Sequence, residues 1–215
     1  MIRLFVFDLD GTLVDSQRDI AESANAVLDS CGYAPHSEAA IAGMVGEGAA
    51  LLIARAFAAA GADAPPDALQ RFLRVYESRL LQHTRPYPGI PELLDALADG
   101  GVLAVLTNKP IDATREMLDG LGLTRFFGGR VLGGDGPHPR KPDPAGLHQL
   151  MAATGHAPLE ALMVGDSVID LRTARAAGTH AAVATYGFGF AQLPPDELRP
   201  TDRLLSTPLD LLRLL

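Results

Sequence analysis

The sequence has no tryptophan, a single cysteine and no long apolar run. Cys31 has no partner for an internal disulfide and no metal-ligand spacing, so we interpret it as a small helix-packing residue in a reducing compartment. No apolar stretch reaches the roughly 18 residues of a membrane span. The apolar run that opens the chain stops at Asp8, which is too short for a signal peptide. We therefore expect a cytoplasmic protein with no membrane partner.

An excess of positive charge is also absent. The formal net charge is −8 at pH 7, and no run of lysine and arginine occurs. Because binding to a phosphate backbone depends on basic patches, we expect no nucleic-acid partner. The six histidines have no metal-ligand spacing. The length of 215 residues fits either one large domain or a core domain with a smaller insert.

The strongest positive signal lies in the first dozen residues. Residues 2–7 form a mostly apolar run, and two acids, Asp8 and Asp10, follow it at once. This pattern predicts a buried strand whose carboxyl end carries acids, where open α/β sheets bind ligands. Two carboxylates ~4 Å apart repel by roughly 4 kcal/mol at an effective dielectric of about 20. The pair therefore favours a cation, a proton or a cationic side chain between them, and among metals Mg²⁺ suits oxygen ligands best.

Two other interpretations fit this short string. A strand followed by an Asp-Gly turn requires no chemistry at all. A calcium-binding EF-hand loop would follow a helix and carry Glu at its twelfth position, whereas this chain has a strand and Asp19. The rest of the chain decides between these interpretations and a catalytic site.

From residue 15 onwards the sequence pattern becomes typical of helices. Apolar residues recur at three- and four-residue spacing up to about residue 83, with no β-branched run, which predicts about four helices. They are expected over residues 19–28, 38–44, 49–60 and 66–81. The prolines at residues 88 and 91 predict a stiff linker that leads from these helices back to the rest of the fold. Such a block after a first strand is most simply an inserted domain, expected over residues 16–83.

The remaining chain alternates strands and helices, which is typical of a parallel sheet. Strands are expected at residues 102–106, 130–132, 161–164, 180–184 and 203–205, and helices at residues 91–98, 111–118, 145–154, 168–177 and from 208. The predicted fold class is α/β. Residues 1–15 and 84–215 would form the parallel-sheet core.

Three further stretches of the predicted sheet core carry polar residues that are candidates for a binding site. Thr107 and Asn108 follow a strand, where they could bind a phosphoryl oxygen or simply cap a helix. Lys141 lies in a loop stiffened by prolines, as suits a cation that holds one position, although a solvated basic loop is an alternative. Asp166 and Asp170 follow another strand, and helix capping by a neighbouring serine does not explain two acids there.

The string Phe-Asp-Leu-Asp-Gly-Thr-Leu-Val-Asp-Ser at residues 7–16 resembles the first signature of the haloacid dehalogenase superfamily of phosphohydrolases. The three downstream stretches match its other motifs in the same order. Residues 133–136, 140–144, 164–178 and 185–187 are most similar to those of phosphoglycolate phosphatases. The resemblance implies a Rossmann-like core with an inserted helical cap domain, acting on a small phosphorylated metabolite. We expect a monomer or a homodimer.

The resemblance also implies residue roles. Asp8 would be the nucleophile that accepts the phosphoryl group, and Asp10 the general acid and base. The phosphate-binding residues would be Thr107, Asn108 and Lys141. Covalent catalysis of this kind splits hydrolysis into two displacements, with cations neutralising the charge on the phosphoryl oxygens.

The resemblance further implies a Mg²⁺ site. Its ligands would be Asp8, the backbone carbonyl of Asp10 and Asp166, with Asp170 in support. The presence of Asp10 and Asp166 argues against dehalogenation, since dehalogenases of this superfamily lack the second acid and need no metal.

The cap domain is expected to determine substrate specificity. The loop that contains Gly46, Glu47 and Gly48 resembles the Val-Gly-x-Gly of the phosphoglycolate branch, and a glycine-rich helix connection is its alternative. The predicted substrate is 2-phosphoglycolate. Another small-metabolite or sugar phosphatase, and a phosphomutase of the β-phosphoglucomutase type, share the core motifs. A non-enzymatic protein that binds a phosphorylated ligand is a further alternative, disfavoured because its carboxylates would repel one another without a metal.

Overall fold

The computed structural model describes residues 1–214, which form strands and helices in an α/β arrangement. The strands are β1 (Leu4–Phe7), β2 (Val14–Asp15), β3 (Arg85–Pro86), β4 (Val102–Leu106), β5 (Val131–Leu132), β6 (Ala161–Gly165), β7 (His180–Ala184) and β8 (Arg203–Leu205). The α-helices are α1 (Gln17–Ser30), α2 (Glu38–Ala42), α3 (Ala49–Ala59), α4 (Ala68–Glu77), α5 (Ile90–Ala98), α6 (Ile111–Gly120), α7 (Thr124–Phe127), α8 (Ala145–Thr154), α9 (Val168–Ala177) and α10 (Asp210–Arg213).

Six of the strands form one parallel sheet in the order β5-β4-β1-β6-β7-β8. β1 lies at its centre between β4 and β6. Because these strands are parallel, their carboxyl ends meet at one edge of the sheet, where ligands bind in open α/β folds. The predicted α/β class with a Rossmann-like parallel sheet is confirmed.

Both faces of the sheet are covered, which explains why β1 is a continuous apolar run. Phe5 and Phe7 pack into one hydrophobic cluster, and Leu4 and Val6 pack into another on the opposite face. All four side chains are buried. A strand buried on both faces needs no polar residue until it emerges, and it emerges at Asp8.

Residues 16–83, here called the helical insert, carry α1 to α4 between β2 and β3. β2 pairs antiparallel with β3, so the chain leaves and re-enters the sheet region side by side. The buried carboxylate of Asp19 on α1 accepts hydrogen bonds from the backbone N–H groups of His83 and Thr84 and from the Thr84 hydroxyl. The two ends of the insert are thereby held together.

Some boundaries differ from the sequence-based expectations. α1 starts two residues before the expected position, and α4 covers Ala68–Glu77 instead of residues 66–81. At the end of α4, the Ser78 hydroxyl donates to the Val75 carbonyl at 2.7 Å, which competes with continued backbone pairing. β2, β3 and the single turn of α7 were not anticipated. Within residues 1–214 no helix has both the length and the apolar character needed to cross a bilayer.

Candidate active site

The predicted site residues gather at the carboxyl edge of the sheet. Asp8 and Asp10 follow β1, Thr107 follows β4, and Asp166 follows β6. The turn after β1 passes directly against Asp166, because a Cβ added to Gly11 would lie 1.9 Å from an Asp166 carboxylate oxygen. Gly11 also has a φ of +81°, so both space and backbone conformation require glycine here.

Three buried carboxylates form the centre of the site. Asp8, Asp166 and Asp170 each place an oxygen within 4.8 Å of the others. An all-oxygen donor set of three buried carboxylates fits a hard divalent cation such as Mg²⁺. The Asp10 carboxylate is outside this cluster and contacts Ser16 and Lys109 instead.

Burial of these acids opposes their ionisation. Desolvation raises the pKa of Asp8 to about 6, with Lys141 opposing the rise and Asp170 adding to it. Desolvation, followed by the charges of Asp170 and Asp8, also raises the pKa of Asp166 well above its usual value. Like charges in a buried place stay ionised only when a cation compensates them.

Lys141 supplies one such cation. Its side chain is buried, and its Nζ lies 2.6 Å from Asp170 Oδ1 and 2.9 Å from Asp8 Oδ1. Burial alone would lower the pKa of Lys141, but the Asp170 and Asp8 carboxylates hold that pKa above its usual range. The ammonium group is therefore charged beside the nucleophile predicted from the sequence.

Asn108 is engaged differently from what its predicted role suggests. Its side-chain nitrogen donates to the carbonyls of Gly46, at 2.8 Å, and Lys141, at 2.9 Å, and its side-chain oxygen accepts from the Lys141 N–H. The amide therefore links the insert to the loop that carries Lys141. A phosphoryl contact from Asn108 would have to use its backbone N–H.

Thr107 is buried beside Asn108, and its hydroxyl oxygen accepts a hydrogen bond from the Lys109 N–H at 3.2 Å. This contact uses a lone pair of the oxygen. The hydroxyl proton is left to donate to a phosphoryl oxygen.

The loop of the insert reaches the site through its glycines. Gly46 and Gly48 have φ values of +120° and +95° and line the cavity described below. The Glu47 carboxylate instead pairs with Arg55. Val45 donates its N–H to the Ala42 carbonyl, whereas the N–H groups of residues 46–48 have no acceptor within the described chain. These three N–H groups are the donors that the loop offers.

A cavity of about 270 Å³ lies between the sheet edge and the insert. Asp8, Asp10 and Asp166 line it from the sheet, and Phe72 and Tyr76 line it from α4. Its size is that of a small-molecule site.

Lys109 was missed in the sequence-based assignment of roles. Its side chain is 5% exposed, and its Nζ lies 3.0 Å from both carboxylate oxygens of Asp10. The same nitrogen lies 2.6 Å from the hydroxyl of Tyr76 and 4.4 Å from the centre of that ring. The amino-acid composition could have pointed to Lys109, because the chain has only two lysines, Lys109 and Lys141. The structure places both at this site.

The architecture and motifs of the chain are those of a known family. The model of the haloacid dehalogenase-like hydrolase family matches residues 5–184. The phosphoglycolate phosphatase of Rhodospirillum rubrum is 46% identical over 197 residues, which cover 87% of this chain and 81% of that protein. The phosphoglycolate phosphatase of Agrobacterium fabrum is 40% identical over 204 residues, covering 92% of this chain and 85% of that protein.

Comparison with solved structures indicates the same family. A crystal structure of a predicted phosphoglycolate phosphatase from Haemophilus somnus superposes with a TM-score of 0.88 at 33% identity, covering 99% of this chain and 97% of that one. The chain belongs to the haloacid dehalogenase-like hydrolase family. It is a phosphoric monoester hydrolase that acts on a small phosphorylated substrate.

Proposed function

We propose that the protein is a Mg²⁺-dependent phosphatase that hydrolyses 2-phosphoglycolate to glycolate and inorganic phosphate through an aspartyl-phosphate. The observation that carries this proposal is the buried group of Asp8, Lys141, Asp166 and Asp170 beside a cavity of small-molecule size. The choice of substrate is supported by the similarity to the two phosphoglycolate phosphatases described above.

In the first displacement, a carboxylate oxygen of Asp8 attacks the phosphorus atom. The bond between phosphorus and the ester oxygen breaks, and its electron pair stays on that oxygen. Asp10, in its protonated form, gives the leaving oxygen a proton. Lys141 and the Thr107 hydroxyl hold the phosphoryl oxygens, whose charge must be neutralised for Asp8 to approach.

In the second displacement, a water molecule attacks the phosphorus of the aspartyl-phosphate. Asp10, now a carboxylate, takes a proton from that water, and the broken bond returns its electron pair to Asp8. Ser16, whose hydroxyl donates to Asp10 at 2.6 Å, keeps the carboxylate oriented through both steps.

Mg²⁺ would be held by Asp8, the backbone carbonyl of Asp10 and Asp166, with Asp170 in support, and would supply charge neutralisation at the phosphoryl group. The Asp170 carboxylate is itself fixed by the Ser167 N–H and hydroxyl, at 3.1 Å and 2.7 Å, and by Lys141. These contacts orient the acid at the edge of the metal cluster.

We further propose that the helical insert is a cap domain that closes over the substrate, and that residues 1–15 and 84–215 are the catalytic core. The hydrogen bond from Asn108 to the Gly46 carbonyl supports this division, because it joins the insert loop to the core at the cavity. Closure of such a lid excludes bulk water and strengthens the charges inside.

A panel of phosphate esters tests the proposal. Release of inorganic phosphate would be measured for 2-phosphoglycolate, hexose phosphates and p-nitrophenyl phosphate, in Mg²⁺ and in chelator. We expect the highest kcat/KM for 2-phosphoglycolate and no turnover in chelator. Preference for a hexose phosphate, or conversion of β-glucose 1-phosphate to glucose 6-phosphate, would contradict the proposed substrate and favour a sugar phosphatase or a phosphomutase. Turnover that persists in chelator would contradict the metal.

A further inference from the structure

The charge of the cavity lining is unbalanced. Within the described residues, Lys109 is the single Lys, Arg or His side chain that lines the cavity. Six carboxylic acids line the same space: Asp8, Asp10, Glu77, Asp112, Glu116 and Asp166. Lys141 is already paired with Asp8 and Asp170. A substrate with a second anionic group, beyond its phosphate, would therefore find one cationic partner in the cavity.

Lys109 lines the cavity beside Asp10. Its Nζ is 3.0 Å from both oxygens of Asp10, the residue that would protonate the ester oxygen. Asp10 must come within hydrogen-bond reach of the ester oxygen to do so. The Lys109 ammonium, which contacts Asp10 and lines the cavity, would then lie near the ester oxygen and the carbon attached to it.

The insert holds Lys109 in place. Tyr76 on α4 accepts a hydrogen bond from Nζ at 2.6 Å and places its ring 4.4 Å from the nitrogen. Phe72 stacks on Tyr76 with the ring centres 5.5 Å apart. Because the lysine side chain is only 5% exposed, its ammonium is largely desolvated and forms stronger charge-assisted hydrogen bonds than a surface lysine would.

We propose that Lys109 is a specificity-determining residue, which selects phosphate esters that carry a carboxylate on the carbon next to the ester oxygen. The carboxylate replaces part of the contact between Lys109 and Asp10, while Tyr76 keeps the ammonium aimed at the substrate. Without this cation, the acids of the lining would repel the second negative charge. The inference rests on the proposed phosphatase function. It means that Lys109, in the core, recognises the substrate carboxylate in addition to the insert loop.

The test compares two esters of nearly the same size, 2-phosphoglycolate and 2-hydroxyethyl phosphate, which has an uncharged hydroxymethyl group in place of the carboxylate. Lys109→Met removes the charge and keeps the length, and Lys109→Gln keeps a hydrogen-bond donor without the charge. Arg125→Met is the matched control, because it removes a cation from an exposed surface ion pair with Asp95.

In the unmodified protein we expect 2-phosphoglycolate to be preferred. Both Lys109 variants should lose about 10- to 100-fold more kcat/KM for 2-phosphoglycolate than for 2-hydroxyethyl phosphate, the range of one charge-assisted hydrogen bond, with a raised KM for 2-phosphoglycolate. Arg125→Met should leave the ratio of the two substrates unchanged. Equal losses on both esters would overturn the proposal and make Lys109 a positioning residue for Asp10.

The failure of this proposal and of the proposed function can be told apart. If the unmodified protein hydrolyses p-nitrophenyl phosphate with Mg²⁺ but does not prefer the carboxylate ester, the phosphatase stands and the role of Lys109 is wrong. If no phosphate ester is hydrolysed, the proposed function fails, and calorimetric Kd values of the two esters decide the role of Lys109. Tighter binding of 2-phosphoglycolate that is lost in Lys109→Gln would support it, and equal Kd values would overturn it.

Discussion

Asp8 lies in surroundings that oppose its own charge, and this has a consequence for stability. Its pKa is raised from the ordinary 3.8 to about 6, chiefly by burial. Between pH 3.8 and about pH 6, Asp8 keeps its proton in the folded state but has lost it in the unfolded chain. The folded state then binds more protons, so the contribution of Asp8 to the free energy of unfolding falls as the pH rises through this window. The fall is on the order of 3 kcal/mol.

Metal-free protein should therefore become less stable from about pH 4 to pH 6, relative to the Asp8→Asn variant, which has no proton to lose at this position. Urea unfolding of both proteins across this range measures the difference. Mg²⁺ should stabilise the unmodified protein more at pH 7 than at pH 5, because its ligands must be ionised to bind. The same pH dependence in both proteins would contradict the burial account of Asp8.

Asp10 differs from Asp8 in its partners, which are Ser16 and Lys109 instead of the acid cluster. Asp10→Asn should lower kcat for 2-phosphoglycolate by ~10²- to 10⁴-fold, because both the ester oxygen and the hydrolytic water need proton transfer. The first turnover of p-nitrophenyl phosphate should be affected much less, since p-nitrophenolate leaves without a proton. Rapid-mixing measurement of p-nitrophenolate release checks this, and an equal loss on both substrates would refute the acid role.

The loop between α2 and α3 joins the insert to the carboxyl edge of the sheet, where the Gly46 carbonyl accepts a hydrogen bond from Asn108. Its Gly46 has a φ of +120°, and a Cβ added there would meet no atom within 4 Å. A side chain at this position would therefore strain the backbone without a direct clash. Gly61, in the turn after α3, has a φ of +75° and equally open space, so the two positions form a matched pair.

Gly46→Val should reduce kcat/KM for 2-phosphoglycolate much more than for p-nitrophenyl phosphate, because the strained loop withdraws the N–H groups of residues 46–48 from the substrate carboxylate. Gly61→Val should cost similar stability in thermal unfolding and leave kcat/KM for both substrates near that of the unmodified protein. If the two variants behave alike in both assays, the loop has no part in substrate choice.

For the whole molecule, the sequence predicted the features that repeat or stand in long runs. The strands β4 and β7 and the helices α8 and α9 lie where periodicity placed them. Asp8 and Asp166 were predictable because each directly follows a buried strand, and parallel strands must end together. Short elements such as β2 carried no period, so they were missed.

Contacts between distant parts of the chain were not predictable in this way. The Asn108 side chain joins the Gly46 carbonyl to the loop of Lys141, a pairing that no local pattern contains. Lys109 meets Tyr76 only because the insert folds over the sheet edge. The scarcity of lysine was the one signal in the sequence that pointed to it.

The proposed function depends on attack by Asp8 on the phosphoryl group of a small ester. The decisive experiment compares the rate of inorganic phosphate release from 2-phosphoglycolate, with saturating Mg²⁺, by the unmodified protein and by Asp8→Asn. The amide is nearly isosteric with the carboxylate but cannot attack phosphorus, so the variant should fold, as judged by circular dichroism, and release no phosphate above the buffer rate. The unmodified protein should turn over the ester. Phosphate release by Asp8→Asn at a rate near that of the unmodified protein would show that Asp8 is not the nucleophile.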